Sequence, residues 1–165
     1  MAGKPLACRR RIHPQRSSSN PTRQEAFVAE TIHIGPLILD FLRDKHETAG
    51  SLDMFEMIVP PDGQMPVGHY HRDWDETVYG LSRTVTFIVD NTSYAIGPGD
   101  TLFIRRSVVH GFNNRSGAAA KCLVVLTPGV LGPEYFRELA ALVAAGPPDA
   151  STVREIMLRH GLVPA

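Results

Sequence analysis

Fourteen residues, Gly63 to Glu76 (GQMPVGHYHRDWDE), hold the side chains best suited to chemistry. His69 and His71 stand two apart. On an extended strand, residues i and i+2 project from one face, so both imidazoles can converge on one point. Glu76 follows five residues after His71, beyond the polar step Arg72, Asp73 and Asp75, and can return a carboxylate to the same place. Two neutral imidazoles and a carboxylate suit a divalent first-row metal. A further imidazole, His110, sits in a second stretch, Gly97–Asn114 (GPGDTLFIRRSVVHGFNN).

The two stretches together carry a resemblance. Gly63-x5-His69-x-His71-x4-Glu76 resembles the first motif of the cupin superfamily, and Gly99-x5-Arg105-x-Ser107-x2-His110-x3-Asn114 resembles the second. Arg83 stands where a glycine is expected seven residues after the glutamate, Arg105 where proline is usual and Ser107 where glycine is usual. These departures fall on turn formers. The family's four ligand positions are filled, by His69, His71, Glu76 and His110.

The resemblance covers roughly Thr31 to Thr127. It implies one divalent transition metal (Fe, Mn, Ni, Co, Cu or Zn) held by those four residues, with Glu76 also a catalytic candidate. Three imidazoles and one carboxylate leave a six-coordinate ion with about two open positions. An ion so held keeps a net positive charge and, as a Lewis acid, stabilises enolates, catecholates or carboxylates. All six metals accept this donor set.

The elements that must position these residues read as short strands separated by turn chemistry. Phe27–Ile34 alternates imperfectly, Gly35-Pro36 turns the chain, and Leu37–Leu42 is a second apolar run. Leu52–Val59 ends at Pro60-Pro61-Asp62-Gly63, residues that favour a turn. Thr77–Leu81 and Thr84–Val89 read as a hairpin, and Thr101–Ile104, Val108–Phe112 and Ala119–Leu126 supply the last strands. This spacing predicts an antiparallel sandwich or barrel. The resemblance makes it an all-β, double-stranded β-helix (jelly-roll) barrel with a two-helix C-terminal tail.

The predicted organisation is a disordered basic arm at residues 1–24, a barrel over 25–128 and a helical tail over 129–165. In the tail, Pro133 suits a first helical turn, Tyr135, Phe136, Leu139, Leu142 and Val143 share a face, and Gly146-Pro147-Pro148 is a stop. A second helix runs over about Ser151–His160, with Val153, Ile156 and Met157 inward and Gly161 as its C-terminal cap. This tail resembles the one carried by many small quercetin dioxygenase-like cupins.

Composition narrows the function classes. Six basic residues and no acid precede Glu25, whereas from Glu25 on eleven bases face seventeen acids. The folded part is therefore mildly acidic and ill suited to nucleic acid phosphates. No apolar run reaches membrane-spanning length, and nothing near the N-terminus resembles a signal peptide. Cys8 and Cys122 do not form a disulfide framework. A cytoplasmic protein is expected, with a small-molecule substrate and neither nucleic acid nor membrane as partner.

Other residues divide between site and scaffold. Trp74 and Tyr70 lie between the ligands, where lining a pocket and ordinary packing both fit; Phe103 and Phe112 either wall a cavity or fill the barrel. Tyr79 reads as core, Arg105 and Arg106 as a solvated pair or an anion site, and His33, His46 and His160 as structural or exposed. Asp73 and Asp75 suit a solvated loop that can carry a partner for a histidine.

Three functions fit the ligand set: an oxygenase acting on a small oxygen-chelating enol, catechol or diketone, a redox-neutral isomerase or decarboxylase, and a non-catalytic ligand-binding module. The tail and the intact ligand set favour the first. The apolar Phe27–Leu42 segment, poor in edge lysines, and the apolar tail suit a two-fold homodimer. Sedimentation at micromolar concentration is expected to give a dimer, and a monomer there would overturn that expectation.

Overall fold

Strand alternation sorts the residues of this chain into a wet and a dry side. In the segment Ala120–Thr127, Ala120, Cys122, Val124 and Leu126 are buried, while Lys121, Leu123 and Val125 between them are only partly covered. Asp53–Val59 alternates in the same way, and its register against Ala120–Leu126 places Phe55 opposite Val124 and Met57 opposite Cys122. Period-two patterning over seven or eight residues fixes which face turns inward, because a one-residue slip would invert every side chain.

The computed structural model of the chain describes residues 30–165 except Pro66. The predicted arm at residues 1–24, and the part of the first predicted strand before Glu30, lie outside the described residues. The strands are β1 (Glu30–Ile34), β2 (Leu37–Arg43), β3 (Asp53–Val59), β4 (His69–His71), β5 (Asp75–Ser82), β6 (Val85–Val89), β7 (Thr92–Ile96), β8 (Thr101–Ile104), β9 (His110–Asn113) and β10 (Ala120–Thr127). Helices α1 (Glu134–Ala145) and α2 (Ala150–Arg159) follow, and the chain ends with strand β11 (Leu162–Pro164).

Two antiparallel sheets face each other. One runs β1-β2-β3-β10-β5-β8 and the other β11-β4-β9-β6-β7. The core between them includes Phe41, Phe55, Val78, Phe87, Ile104 and Val124. This is a jelly-roll barrel with two C-terminal helices. Among the described residues no helix is long and apolar enough to cross a membrane.

Several elements differ from their sequence expectation. β5 and β6 are consecutive but do not form a hairpin: β5 pairs with β10 and β8, and β6 with β7 and β9. The chain crosses from one sheet to the other at Ser82–Thr84, where Arg83 takes φ 58. The crossing needs a left-handed residue, which explains why a glycine is usual here and why arginine carries a steric cost. β7 had no apolar alternation to announce it: its first four residues are exposed. β11 extends the tail back into the barrel, lying against β4 with Leu162 opposite His71 and Pro164 opposite His69.

Tyr79 is not core. With Glu76 and Val78 turned inward on β5, Tyr79 faces out, 42% exposed, and Phe103 is 58% exposed on the same outer face. Phe103 therefore walls no cavity.

Two buried polar residues hold the connections. Asp53, fully buried, accepts hydrogen bonds from the backbone N–H of Lys45 (2.6 Å), Leu131 (3.2 Å) and Gly132 (3.1 Å), tying the β2–β3 loop to the start of the tail. Asn114 donates through Nδ2 to the carbonyls of Val59 (2.9 Å), Pro60 (3.0 Å) and Ala118 (2.8 Å) and accepts from Ser116 N (2.9 Å) and Oγ (2.7 Å). It pins the loop that leads from β3 to β4. Asp149 caps α2, accepting from Thr152 N at 3.1 Å. Asn114→Ala strands several buried backbone groups and is expected to lower unfolding free energy by roughly 3 kcal/mol. Urea denaturation checks it, and a change within about 0.5 kcal/mol would remove Asn114 from this role.

Candidate metal centre

The histidines come from one sheet and the carboxylate from the other. β4 presents His69 and His71 inward with Tyr70 between them only partly covered, as i, i+2 spacing on a strand requires. β9 lies beside β4 with His110 directly opposite His69. Glu76 turns inward from β5 in the facing sheet. All four are buried, with exposures of 3% for His69, 5% for His71, 8% for Glu76 and 4% for His110.

Their donor atoms converge. His69 Nε2 and His71 Nε2 are 3.1 Å apart, His110 Nε2 is 3.4 Å from Glu76 Oε2, and His71 Nε2 is 3.8 Å from the same oxygen. The three imidazoles offer ligand atoms within 4.8 Å of one another, close enough to hold a metal. Donors about 2.1 Å from one ion stand about 3.0 Å apart at right angles and about 3.4 Å apart at tetrahedral angles. The donor set fits a metal on a second ground as well. His110 Nε2 is buried with no hydrogen-bond partner, and Glu76 faces it at an ion-pair separation without hydrogen-bond geometry. A buried ring nitrogen left unbonded costs free energy unless something binds it.

The electrostatics favour the ligating form of two of the three rings. Burial, then the neighbouring His110, push His69 down to about 3; burial, then His110 and His69, push His71 down to about 2. Both rings are therefore neutral across the ordinary pH range. Burial pushes His110 down too, but the Glu76 carboxylate and the Val108 carbonyl outweigh it and hold His110 above its ordinary value.

Around the cluster, the supporting contacts are mostly to backbone. His110 Nδ1 lies 2.9 Å from Val108 O, which sets Nε2 toward the other donors. Asp75 partners no histidine: it receives Arg106 through backbone N (2.8 Å), Nε (3.1 Å) and Nη2 (2.9 Å). That fork clamps the β8–β9 loop to the start of β5, one residue before Glu76. Ser107, at φ 65, donates its N–H to His71 O at 2.8 Å. The positions usually held by glycine, 83 and 107, are thus both left-handed here. Arg105 is exposed.

Trp74 does not line a cavity. It is 1% exposed and stacks on His71, with ring centroids 4.5 Å apart and planes at 21°. His46 pairs with Glu134 at 2.7 Å and His160 with Glu138 at 3.2 Å, away from the cluster. His33 is exposed. The cluster opens on a cavity of about 480 Å³, and of the residues expected to line one, Phe112 does so.

Comparisons with known proteins speak to the fold that carries these residues. The family described as "Cupin domain" matches residues 55–126. That stretch of the chain is similar to a cupin domain. No curated protein matches the sequence significantly. Solved structures with the same fold include the polyketide cyclase RemF from Streptomyces resistomycificus, 23% identical, with a TM-score of 0.53 over 65% of this chain and 79% of that one. A predicted oxalate decarboxylase from Thermotoga maritima is 21% identical, with a TM-score of 0.55 over 61% of this chain and 91% of that one. A cupin-superfamily sugar phosphate isomerase from Silicibacter pomeroyi is 25% identical, with a TM-score of 0.47 over 54% of this chain, and the match spans only 59% of its length. Likeness at these identities speaks to the fold, and function must be argued from the site.

The pH dependence follows from the histidines. Rings with folded pKa values below the ordinary His value of about 6.5 bind fewer protons in the folded than in the unfolded chain, so falling pH favours unfolding. That loss develops from about 6.5 down to about 3 for His69 and about 2 for His71. His110 acts with the opposite sign, its contribution fading as pH rises through its folded pKa. The metal-free protein is expected to lose melting temperature from about pH 7 to about pH 4, and a His69→Asn, His71→Asn variant to lose less. Equal slopes in calorimetry would contradict the assignment.

Proposed function

We propose that His69, His71, His110 and Glu76 hold one divalent transition metal, and that the protein is a metal-dependent oxygenase acting on a substrate that chelates through adjacent oxygens. The observation that carries this reading is the set of three buried imidazoles and one buried carboxylate converging at the end of an internal cavity. A divalent ion bound there supplies a Lewis acid that favours the ionised, electron-rich form of an enol, catechol or diketone.

The chain's own residues do the remaining work. His69 and His71, neutral before any ion binds, offer lone pairs without first losing protons. Glu76 is the carboxylate at the cluster and accepts the proton that the substrate oxygen gives up. The apolar walls exclude water, which strengthens the electrostatic interactions inside. Trp74 and the Val108 carbonyl hold His71 and His110 in their ring orientations.

Protein purified without chelators is expected to contain about one equivalent of transition metal. Ala at one ligand lowers the content and the His69→Ala, His110→Ala pair abolishes it; full metal in that pair refutes the centre. Trp74, the one tryptophan of the chain, reports independently: cobalt or copper at the centre quenches its emission through the stacked His71 ring. Iron-, manganese- or nickel-loaded protein is expected to consume oxygen with a diketone, catechol or flavonol, and Glu76→Gln to lower kcat by about 100-fold or more. Metal binding with no oxygen uptake across these substrates would overturn the oxygenase assignment.

A further inference from the structure

We propose that the cavity binds the uncharged, largely aromatic body of a substrate, and that the C-terminal helices form the wall that selects it. Only the chelating head of that substrate rests on the metal reading above.

Most of the cavity lining is apolar. Its buried ionisable groups include the cluster of His69, His71, His110 and Glu76, its exposed polar residues are Asp62 and Gln64, and no lysine or arginine is among the described lining residues. Beyond the cluster the walls are Phe55 and Val124 from one sheet, Phe87 and Phe112 from the other, and Leu139 and Met157 from α1 and α2. Phe87 and Phe112 stand with centroids 6.0 Å apart, and Phe55 meets Phe136 of α1 edge-on at 5.3 Å. Aromatic faces thus border the space from both sheets. Its volume, about 480 Å³, falls within the roughly 300–1,000 Å³ of pockets that enclose drug-sized ligands.

This lining discriminates among ligand chemistries. A phosphate or second carboxylate would lose its hydration with no cation but the metal to replace it. The hydroxyls of a sugar would mostly go unbonded, each at a cost. A flat apolar body gains from every wall and presents edges and faces to the surrounding rings. The lining residues that are exposed, Pro36, Asp62, Gln64, Val67 and Pro148, mark the mouth. They belong to the β1–β2 turn, the β3–β4 loop and the α1–α2 turn, so the tail borders both the entrance and the interior. On α1, Tyr135, Phe136, Leu139 and Val143 line this space.

The test compares two β-diketones with the same head, acetylacetone and dibenzoylmethane, titrated into full-length zinc-loaded protein. Dibenzoylmethane is expected to bind at least about 100-fold more tightly, from its two phenyl rings. N-phenyl-1-naphthylamine, a neutral fluorophore without a chelating group, is expected to bind the metal-free protein. Dibenzoylmethane should displace it and glucose 6-phosphate should not. Val143→Trp, which fills the space beside α1, should weaken both apolar ligands while zinc content stays unchanged. Leu139→Asn gives the same readout should the first variant fail to fold.

Affinities for the two diketones within about threefold of each other, competition by glucose 6-phosphate, or unchanged fluorophore binding in both variants overturns the proposal. Failure to retain zinc refutes the metal centre instead, and the fluorophore measurements on metal-free protein then decide this proposal alone.

Discussion

Glu76 belongs to one sheet and the three histidines to the other, and the site exists only because the two layers bring these groups together inside the barrel. Burying four such groups is unfavourable for each taken singly. Their convergence within a few ångströms turns separate costs into a shared binding potential for a cation. The rest of the architecture serves that convergence: the opposition of His69 and His110 aligns β4 with β9, and Asn114 fixes the approach of the loop that delivers β4.

Two of the left-handed turns adjoin the strands that carry the ligands. Arg83 and Ser107 adopt left-handed conformations that glycine would reach without steric cost. Gly80 is a glycine for a different reason: a Cβ there would stand 1.9 Å from the carbonyl oxygen of Gly97. The β7–β8 turn rests directly on the backbone of β5 as a result, with Gly80 N donating to Asp100 O at 3.0 Å. The Arg106–Asp75 fork and the Ser107–His71 bond tie the strained turn to the strands that carry the ligands. Non-ideal backbone is retained where it sets the aim of a functional group.

Much of the site was legible because strand periodicity is local. The i, i+2 spacing of His69 and His71 is enough to place them on one face, and the second motif supplies His110. Partner choice between strands is not local, so the β5–β6 crossing read as a hairpin. Tyr79 and Phe103 carried the apolar signature of core residues, yet alternation along β5 and β8 turns both outward. β7 and β11 lacked a detectable pattern, one for want of alternating burial and the other for want of length. The backbone carbonyl that orients His110 leaves no mark on side-chain identity, and a cavity is lined by the same residue types that would fill a solid core.

The strand β11 makes the helical tail part of the sheet that carries the histidines. β4 is only three residues long, and on the side away from β9 its backbone is paired by Leu162, Val163 and Pro164, with Ala165 N donating to Gly68 O at 2.9 Å. The strand that carries two of the three histidines therefore has its second neighbour only when the segment beyond both helices has folded back beside it. Loss of residues 162–165 would open the sheet edge beside the histidines while leaving the larger sheet untouched.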